Sequence, residues 1–235
     1  MPAGVSPHTW EPRPGDLALL ARADLVVLNG LGVEGALRDI LRSTDRRGRD
    51  VIVLGDLVKG LESPRAIVDP HLWLNPPFAR ALVEAVGSWY SEHGHPEHQG
   101  DVEDVVGRID AMDRAYRETL TPYAGARVVT DHHAWDRLLG RYGIEVVDVI
   151  HEVEGVEASP GRIAQVVEKI HDSGVRALLV EVQFSGGVSD QIVRATGVRV
   201  GRLDLIGSGD WFAMMEHNLA TLRRVLGDGG GDGGG

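Results

Sequence analysis

The chain of 235 residues contains no cysteine, which excludes disulfide bonds, cysteine-ligated zinc, iron–sulfur clusters and thiol nucleophiles. It also has no apolar run near the roughly 20 residues that a transmembrane helix requires, so no membrane span is expected. Basic residues are scarce, since 24 Lys and Arg against 35 Asp and Glu give a net charge of −11. This acidity argues against a nucleic-acid partner. Because cysteine is absent, the ten histidines are the main candidates for functional side chains.

Short β-branched runs alternate with amphipathic segments along the chain, which is typical of an α/β fold. Several runs are almost continuously apolar, as expected for parallel strands that helices cover on both faces. One helix is indicated by Ser159-Pro160 as a start signal and Gly174 as a stop signal. The predicted strands are Leu25–Leu28, Val51–Leu54, Arg127–Thr130, Ile144–Val149, Ala177–Val182 and Val198–Leu203.

The segment Asp101–Leu120 carries apolar residues at a regular three-to-four spacing and predicts a helix roughly 30 Å long. An ordinary packed helix fits this pattern, but the position near the middle of the chain favours a rigid helix that joins two α/β lobes. The predicted organisation is an N-terminal lobe over residues 1–98, a linking helix over 99–123, a C-terminal lobe over 124–226 and a flexible glycine-rich tail over 227–235.

The segment Gly30–Gly35 matches the G-x-G-x-x-G pattern of dinucleotide-binding turns, and it follows a predicted strand. Glu34 lies inside this turn, where it would repel a pyrophosphate. The alternative is a glycine-rich turn that packs closely and binds no ligand, and the glutamate favours that interpretation.

Three histidines and one aspartate occupy positions that suit metal ligands. His8 and His71 lie in two proline-bracketed loops of similar sequence, Pro-His-x-Trp, in which a fixed backbone can hold an imidazole in place. His132 follows the predicted strand Arg127–Thr130, and Asp204 follows another strand, at the ends where open α/β sheets bind ligands.

The other histidines give weaker signals. His93, His95 and His98 lie in a polar connection and are expected to be solvated, with weak metal capture as a minor alternative. Exposed helical positions are expected for His171 and His217, whereas His151 ends a strand and fits either role.

Several motifs together resemble the zinc- and manganese-binding solute-binding proteins of metal ABC importers. The resemblance covers roughly residues 2 to 226 and also accounts for the glycine-rich turn, which looks like this family's own turn without a nucleotide. The matching segments are 7–16 (PHTWEPRPGD), 23–34 (ADLVVLNGLGVE), 69–76 (DPHLWLNP), 132–135 (HHAW), 159–160 (SP), 181–183 (EVQ) and 203–207 (LDLIG).

This resemblance implies two α/β lobes, each with a small, mostly parallel sheet, joined by one long helix, with the metal held between the lobes. The metal ligands that it implies are His8 and His71 from the first lobe and His132 and Asp204 from the second. His133 is an alternative to His132, because the two are adjacent. Glu11 and Glu181 are candidate acceptors for the N–H groups of ligand histidines.

Three imidazoles and one carboxylate form a nitrogen-rich set that suits Zn²⁺, whereas Mn²⁺ prefers more oxygen ligands. The resemblance implies a monomeric, extracytoplasmic receptor that captures Zn²⁺ and passes it to an ABC permease, without enzymatic activity. Alternatives are a manganese receptor, an adhesin-like member of the same family and a zinc-dependent hydrolase. No H-E-x-x-H or G-x-S-x-G motif supports the hydrolase.

Two features depart from the family pattern. The segment Leu61–Val68 is short and carries no histidine, so we expect no metal-gathering loop there. The chain starts at the loop that normally follows the second strand, without a signal sequence, so we expect the first lobe to lack two strands. The full-length parent is then expected to be a membrane-associated protein of the periplasm or cell exterior.

Overall fold

The computed structural model describes residues 12–35, 40–41, 49–58, 69–152, 156–182 and 187–227. The chain divides into two compact units, Met1–Ala111 (unit 1) and Met112–Gly235 (unit 2). Both are built from parallel strands and helices, which confirms the predicted α/β class. None of the helices in the described part of the chain combines the length and the hydrophobicity needed to cross a bilayer.

Unit 1 contains a parallel pair of strands with helices around it. The pairing aligns Leu25 with Asp50 and ends with Leu28 beside Val53. A single 3-10 turn, Leu72–Leu74, precedes the first long helix and buries both of its leucines. The described elements are α1 (Pro14–Leu20), β1 (Leu25–Leu28), β2 (Asp50–Val53), α2 (Leu54–Leu57), α3 (Pro76–Glu92) and α4 (Gln99–Leu120), and the division between the units falls within α4.

Helices α3 and α4 pack closely where a glycine allows it. A Cβ atom on Gly87 of α3 would lie 2.8 Å from Cγ1 of Val102 in α4, so a larger residue would force the helices apart. The short connection between these helices consists of Gly94 with positive φ and a 3-10 turn over Pro96–His98. It therefore holds the end of α3 beside the start of α4.

Unit 2 contains a four-stranded parallel sheet whose order is β4-β3-β5-β6. Each strand is followed by a helix, and the helices bury the apolar side chains of the strands, as the continuous apolar runs predict. The elements are β3 (Arg127–Thr130), α5 (Asp136–Arg141), β4 (Glu145–Val149), α6 (Pro160–Asp172), β5 (Val175–Glu181), α7 (Gly187–Thr196), β6 (Arg199–Leu203) and α8 (Trp211–Leu226).

One core cluster in unit 2 joins the sheet to helices α6 and α7. Val129 and Leu178 from the strands, Val166 from α6 and Ile192 from α7 are completely buried in it. Helix α6 begins as predicted, because the Ser159 hydroxyl accepts a hydrogen bond from the backbone N–H of Arg162, at 3.2 Å. Packing in this cluster fixes the relative positions of the carboxyl ends of these strands.

The C-terminal half of α4, which belongs to unit 2, is attached to the rest of this unit through a polar cluster around Asp113. Its carboxylate accepts hydrogen bonds from Arg141 (2.9 Å and 3.0 Å) and from the Tyr142 hydroxyl (2.7 Å), and it also contacts Arg117 of the same helix. Burial alone would raise the pKa of Asp113, but these donors lower it to about 2. Tyr116, fully buried on the same helix, donates to the carbonyl of Met215 at 2.8 Å.

The predicted strands all occur, with ends that differ by at most two residues. The largest difference concerns β5, which begins at Val175 where Ala177 is expected. Helix α4 begins at Gln99, where the segment predicted as a linking helix also begins, and it includes the whole of the apolar-patterned stretch Asp101–Leu120. The predicted domain limits at residues 98 and 124 stay predictions, and the glycine-rich tail beyond Gly227 lies outside the described residues.

Candidate metal centre

Polar side chains gather at the carboxyl edge of the unit 2 sheet, where each strand delivers one or two of them. Asp131 and His132 follow β3, His151 follows β4, Glu181 is the last residue of β5, and Asp204 follows β6. Because parallel strands all end at the same edge, residues that are far apart in sequence become neighbours there. Glu181 is completely buried, and His132 is 5% exposed.

The imidazole of His132 lies against the carboxylate of Glu181, with 2.6 Å between Nδ1 and Oε1. Strands β3 and β5 are hydrogen-bonded neighbours, which explains why residues 49 positions apart meet. Contact of Nδ1 with a carboxylate favours the tautomer in which Nε2 carries the lone pair, the form that binds a metal ion. The role of Glu181 as an acceptor for a histidine N–H stays a prediction, because the contact has the distance of an ion pair but not the geometry of a hydrogen bond.

Asp131 adds a second buried carboxylate beside this pair. One ligand atom from each of Asp131, His132 and Glu181 lies within 4.8 Å of the others, so the three residues could hold a metal ion. Burial raises the pKa of Asp131, and the negative charge of Glu181 raises it further. His151 partly offsets this effect, since its Nδ1 lies 3.3 Å from Oδ1 of Asp131.

Asp204 is held by hydrogen bonds to its carboxylate and to its own backbone. Its Oδ1 accepts hydrogen bonds from the N–H groups of Ile206 (3.0 Å) and Gly207 (2.8 Å), a turn that the positive φ of Gly207 makes accessible. Its own N–H and C=O bond to the side-chain amide of Asn218, which is completely buried in α8. The carboxylate therefore has a defined orientation before any ion binds.

In unit 1, His71 is buried in the proline-bracketed loop, with 2% exposure. The carboxylate oxygen Oδ1 of Asp69 lies 2.8 Å from Nδ1 of His71 and also accepts the His71 backbone N–H at 2.9 Å. Trp73 contributes an edge-on ring contact at 5.2 Å. As with His132, a carboxylate on Nδ1 favours a lone pair on Nε2.

The glycine-rich turn supports the loop that carries His71, and its backbone N–H groups bond to a glutamate within the turn. The Glu34 carboxylate accepts the backbone N–H groups of Asn29 (2.6 Å) and Gly30 (3.0 Å), the groups that a phosphate would need. The Asn29 side chain donates to the carbonyl of Pro70 at 2.7 Å, directly before His71. The turn therefore fits the interpretation without a nucleotide, and it helps to position His71.

His133 has a different environment from its neighbour. Its Nδ1 lies 3.2 Å from the Asp136 carboxylate at the start of α5, and its side chain is 15% exposed. His132, by contrast, contacts Glu181 at the sheet edge. Two other predicted residues, His8 and Glu11, lie outside the described residues.

Asp131 is the residue of this cluster that sequence reasoning missed as a potential ligand. Its signal was available, because it is the first residue after a predicted strand, the same criterion that selected Asp204. His151 meets a similar criterion, and the sequence alone allows either a ligand or a structural role for it. Its contact with Asp131 assigns it to the cluster.

Comparison with known families gives a match over nearly the whole chain. The model of the family ZnuA, described as zinc-uptake complex component A, periplasmic, matches residues 1–225. The chain belongs to the ZnuA family.

Relatives in this family include lipoproteins named for different metals. The zinc-binding lipoprotein AdcA of Streptococcus pneumoniae TIGR4 is 25% identical over 250 residues, which cover 95% of this chain and 50% of AdcA. The manganese-binding lipoprotein MntA of Halalkalibacterium halodurans is 24% identical over 236 residues, which cover 94% of this chain and 78% of MntA. The chain thus spans about half the length of the AdcA proteins that it matches.

Solved structures of ZnuA-like proteins share the fold. The SBP FpvC of Pseudomonas aeruginosa, solved in complex with Mn²⁺, superimposes with a TM-score of 0.81 at 26% sequence identity. The superposition covers 96% of this chain and 88% of FpvC. This similarity agrees with the α/β architecture described above.

Proposed function

We propose that this ZnuA-family chain is an extracytoplasmic receptor that binds one Zn²⁺ ion through His8, His71, His132 and Asp204 and delivers it to an ABC permease. The observation that carries the proposal is the buried His132–Glu181 pair, at 2.6 Å, at the carboxyl edge of the unit 2 sheet. A carboxylate beside Nδ1 is the usual support of a histidine that binds a metal ion through Nε2. The names of AdcA and MntA support metal as the ligand and a lipoprotein as the form of the parent.

The chemistry of the ligand set favours zinc over manganese. Three neutral imidazoles and one carboxylate suit a tetrahedral Zn²⁺ site. In this proposal Glu181 and Asp69 support the histidines from outside the coordination sphere. Direct ligation by Asp131 and Glu181 would instead give the oxygen-rich site that Mn²⁺ prefers, and this is the manganese alternative.

A receptor also accounts for the ligand set better than a hydrolase does. A catalytic zinc keeps one coordination position for water or substrate, whereas four protein ligands fill a tetrahedral site. Reversible capture needs no chemical step. The permease is the expected partner, and we propose that the receptor acts as a monomer.

The decisive experiment measures which metal the full chain retains. The protein is refolded without metal, exposed to equimolar Zn²⁺ and Mn²⁺, desalted and analysed by mass spectrometry. We expect about one Zn²⁺ per chain and little Mn²⁺. Retention of Mn²⁺ would support the manganese alternative, and retention of neither metal would overturn the proposal.

Asp204→Ala separates a receptor from an enzyme. In a receptor this change removes a ligand and weakens Zn²⁺ binding, with no turnover in either form. Hydrolysis of ester or phosphoester substrates that Asp204→Ala alters would favour the hydrolase.

The receptor should also lose affinity in acid. Imidazole binds metal only after losing its proton, and an ordinary imidazole has a pKa near 6.5. Between pH 7.5 and 5.5 we expect affinity to fall by about tenfold for each histidine ligand. Competition titrations with a zinc chelator at the two pH values test this, and equal affinities would contradict histidine ligation.

A further inference from the structure

The connection between α3 and α4 in unit 1 carries three histidines within six residues. The side chains of His93, His95 and His98 are 43%, 54% and 42% exposed. All three belong to one short surface segment, but their ring nitrogens have different contacts. These contacts separate one structural histidine from two that can bind a ligand.

His93 already uses both of its ring nitrogens. Its Nδ1 lies 2.8 Å from the carbonyl of Trp89, and its Nε2 lies 3.1 Å from the Asp50 carboxylate. The ring also stacks on Trp89, whose indole N–H donates to the same Asp50 at 2.8 Å. His93 therefore connects the end of α3 to strand β2.

His95 and His98 have another arrangement. The Nδ1 of His95 lies 3.1 Å from the Glu97 carboxylate, and the Nδ1 of His98 lies 3.4 Å from the Asp101 carboxylate. No residue in the described part of unit 1 hydrogen-bonds to the Nε2 atom of either ring. This is the same carboxylate-on-Nδ1 pattern as in the candidate metal centre, but at the surface.

The local backbone brings these two rings together. His95 precedes the 3-10 turn Pro96–His98, and the His98 N–H bonds to the His95 carbonyl at 3.3 Å. Residues three apart lie on the same side of a 3-10 turn, which has about three residues per turn. The two imidazole centroids are 6.4 Å apart, and the Tyr90 ring lies against both, at 6.4 Å from His95 and 4.5 Å from His98.

We propose that His95 and His98 form a second, surface site for an imidazole-preferring divalent cation such as Zn²⁺, which binds their Nε2 atoms. Zinc–nitrogen bonds of about 2.0–2.1 Å allow one ion to bridge rings at this separation after a small rotation of the exposed side chains. Water completes the coordination. Glu97 and Asp101 orient the rings and supply negative charge.

The surrounding charge agrees with this assignment. A carboxylate lies beside each of the two rings, Glu97 beside His95 and Asp101 beside His98. The chain as a whole is acidic, with a net charge of −11. With only two protein ligands, the site binds more weakly than a four-ligand site and exchanges its ion readily.

The test is a calorimetric titration of the metal-free full chain with Zn²⁺ at pH 7.5. We expect a binding event with an affinity in the micromolar range or weaker, in addition to any tighter one. His95→Gln together with His98→Gln should abolish it, because both imidazole ligands are removed. Either single change should weaken it by about tenfold or more, because the remaining imidazole no longer benefits from the other. His93→Gln is the matched control, and it should leave the weak event unchanged.

Three outcomes would overturn the assignment: no weak event in the unmodified chain, a weak event that persists in the double variant, or an equal loss in His93→Gln. Thermal unfolding followed by circular dichroism checks that each variant folds, and the exposure of the two side chains predicts no loss of structure. This result is independent of the proposed receptor site. Loss of tight binding in His132→Ala with the weak event retained would distinguish the two sites.

Discussion

The two units each bury a histidine whose Nδ1 contacts a carboxylate, but they build the pair by different means. In unit 1 the carboxylate of Asp69 is two residues from His71, and one loop supplies both. In unit 2 the carboxylate of Glu181 is 49 residues from His132, and two neighbouring strands bring them together. The same local chemistry thus depends on backbone conformation in one unit and on sheet topology in the other.

This difference indicates which changes each pair can tolerate. The Asp69 carboxylate also bonds the backbone of His71, so its loss disturbs the loop as well as the imidazole. Glu181, in contrast, is held by the backbone of the buried strand β5. The two pairs can therefore be compared by matched substitutions that remove charge but keep shape.

The largest expected effect comes from the histidine of unit 2. His132→Ala should lower Zn²⁺ affinity by more than about 100-fold, because a ligand is lost and not merely its support. His133→Ala is the adjacent control and should bind Zn²⁺ like the unmodified chain. Competition with a zinc chelator measures both affinities. A larger effect of His133→Ala would mean that His133, and not His132, is the ligand.

Substitution of the carboxylates that support the histidines should have a smaller effect on Zn²⁺ affinity, and its effect on stability should differ between the two units. Glu181→Gln and Asp69→Asn should each weaken Zn²⁺ binding by about 10- to 100-fold, since the histidine loses a charged partner. Asp69→Asn should in addition lower the thermal stability of the chain, because the amide accepts the His71 N–H less strongly. Equal stability of the two variants would argue against the local role of Asp69.

Next in size is a stability effect confined to unit 2. Asp113→Asn should lower the free energy of unfolding by about 1–2 kcal/mol at pH 7, because the hydrogen bonds from Arg141 and Tyr142 lose their charged acceptor. The Asp113 side chain is 19% exposed, which reduces the effect through solvent screening. Denaturant unfolding measures the loss, and Zn²⁺ affinity should not change.

The pH dependence of that stability has a defined sign. Folding lowers the pKa of Asp113 from its ordinary value of 3.8 to about 2. The stabilisation is therefore complete above about pH 5 and is lost as the pH falls from about 4 towards 2. In Asp113→Asn this part of the acid sensitivity should disappear, and an unchanged acid profile would exclude Asp113 as its source.

The smallest expected effect concerns the turn beneath His71. Asn29→Ala removes the hydrogen bond to the Pro70 carbonyl and should weaken Zn²⁺ binding by only a few-fold, because Asp69 still orients the ring. Titration with Zn²⁺ measures this change. A loss as large as that in Asp69→Asn would mean that the turn, and not the carboxylate, determines the position of His71.

Sequence reasoning predicted the strands of unit 2 because their apolar runs are continuous and their ends carry clear polar residues. It also selected His132 and Asp204, since Asp204 directly follows a strand and His132 lies two residues after one. It left out Asp131, although this residue is the first after a predicted strand, and it allowed two roles for His151, because the position of a residue after a strand does not show which side chains it meets. Only the strand order β4-β3-β5-β6 puts these side chains at one edge.

The amino-acid sequence by itself determined the fold class, the family and the residue types at the strand ends, because these depend on local periodicity and on motifs read along the chain. The tertiary structure decided which side chains become partners. The pairing of β3 with β5 brings Glu181 to His132, and the 3-10 turn brings His95 to His98, because such contacts depend on how the backbone folds and not on the order of residues.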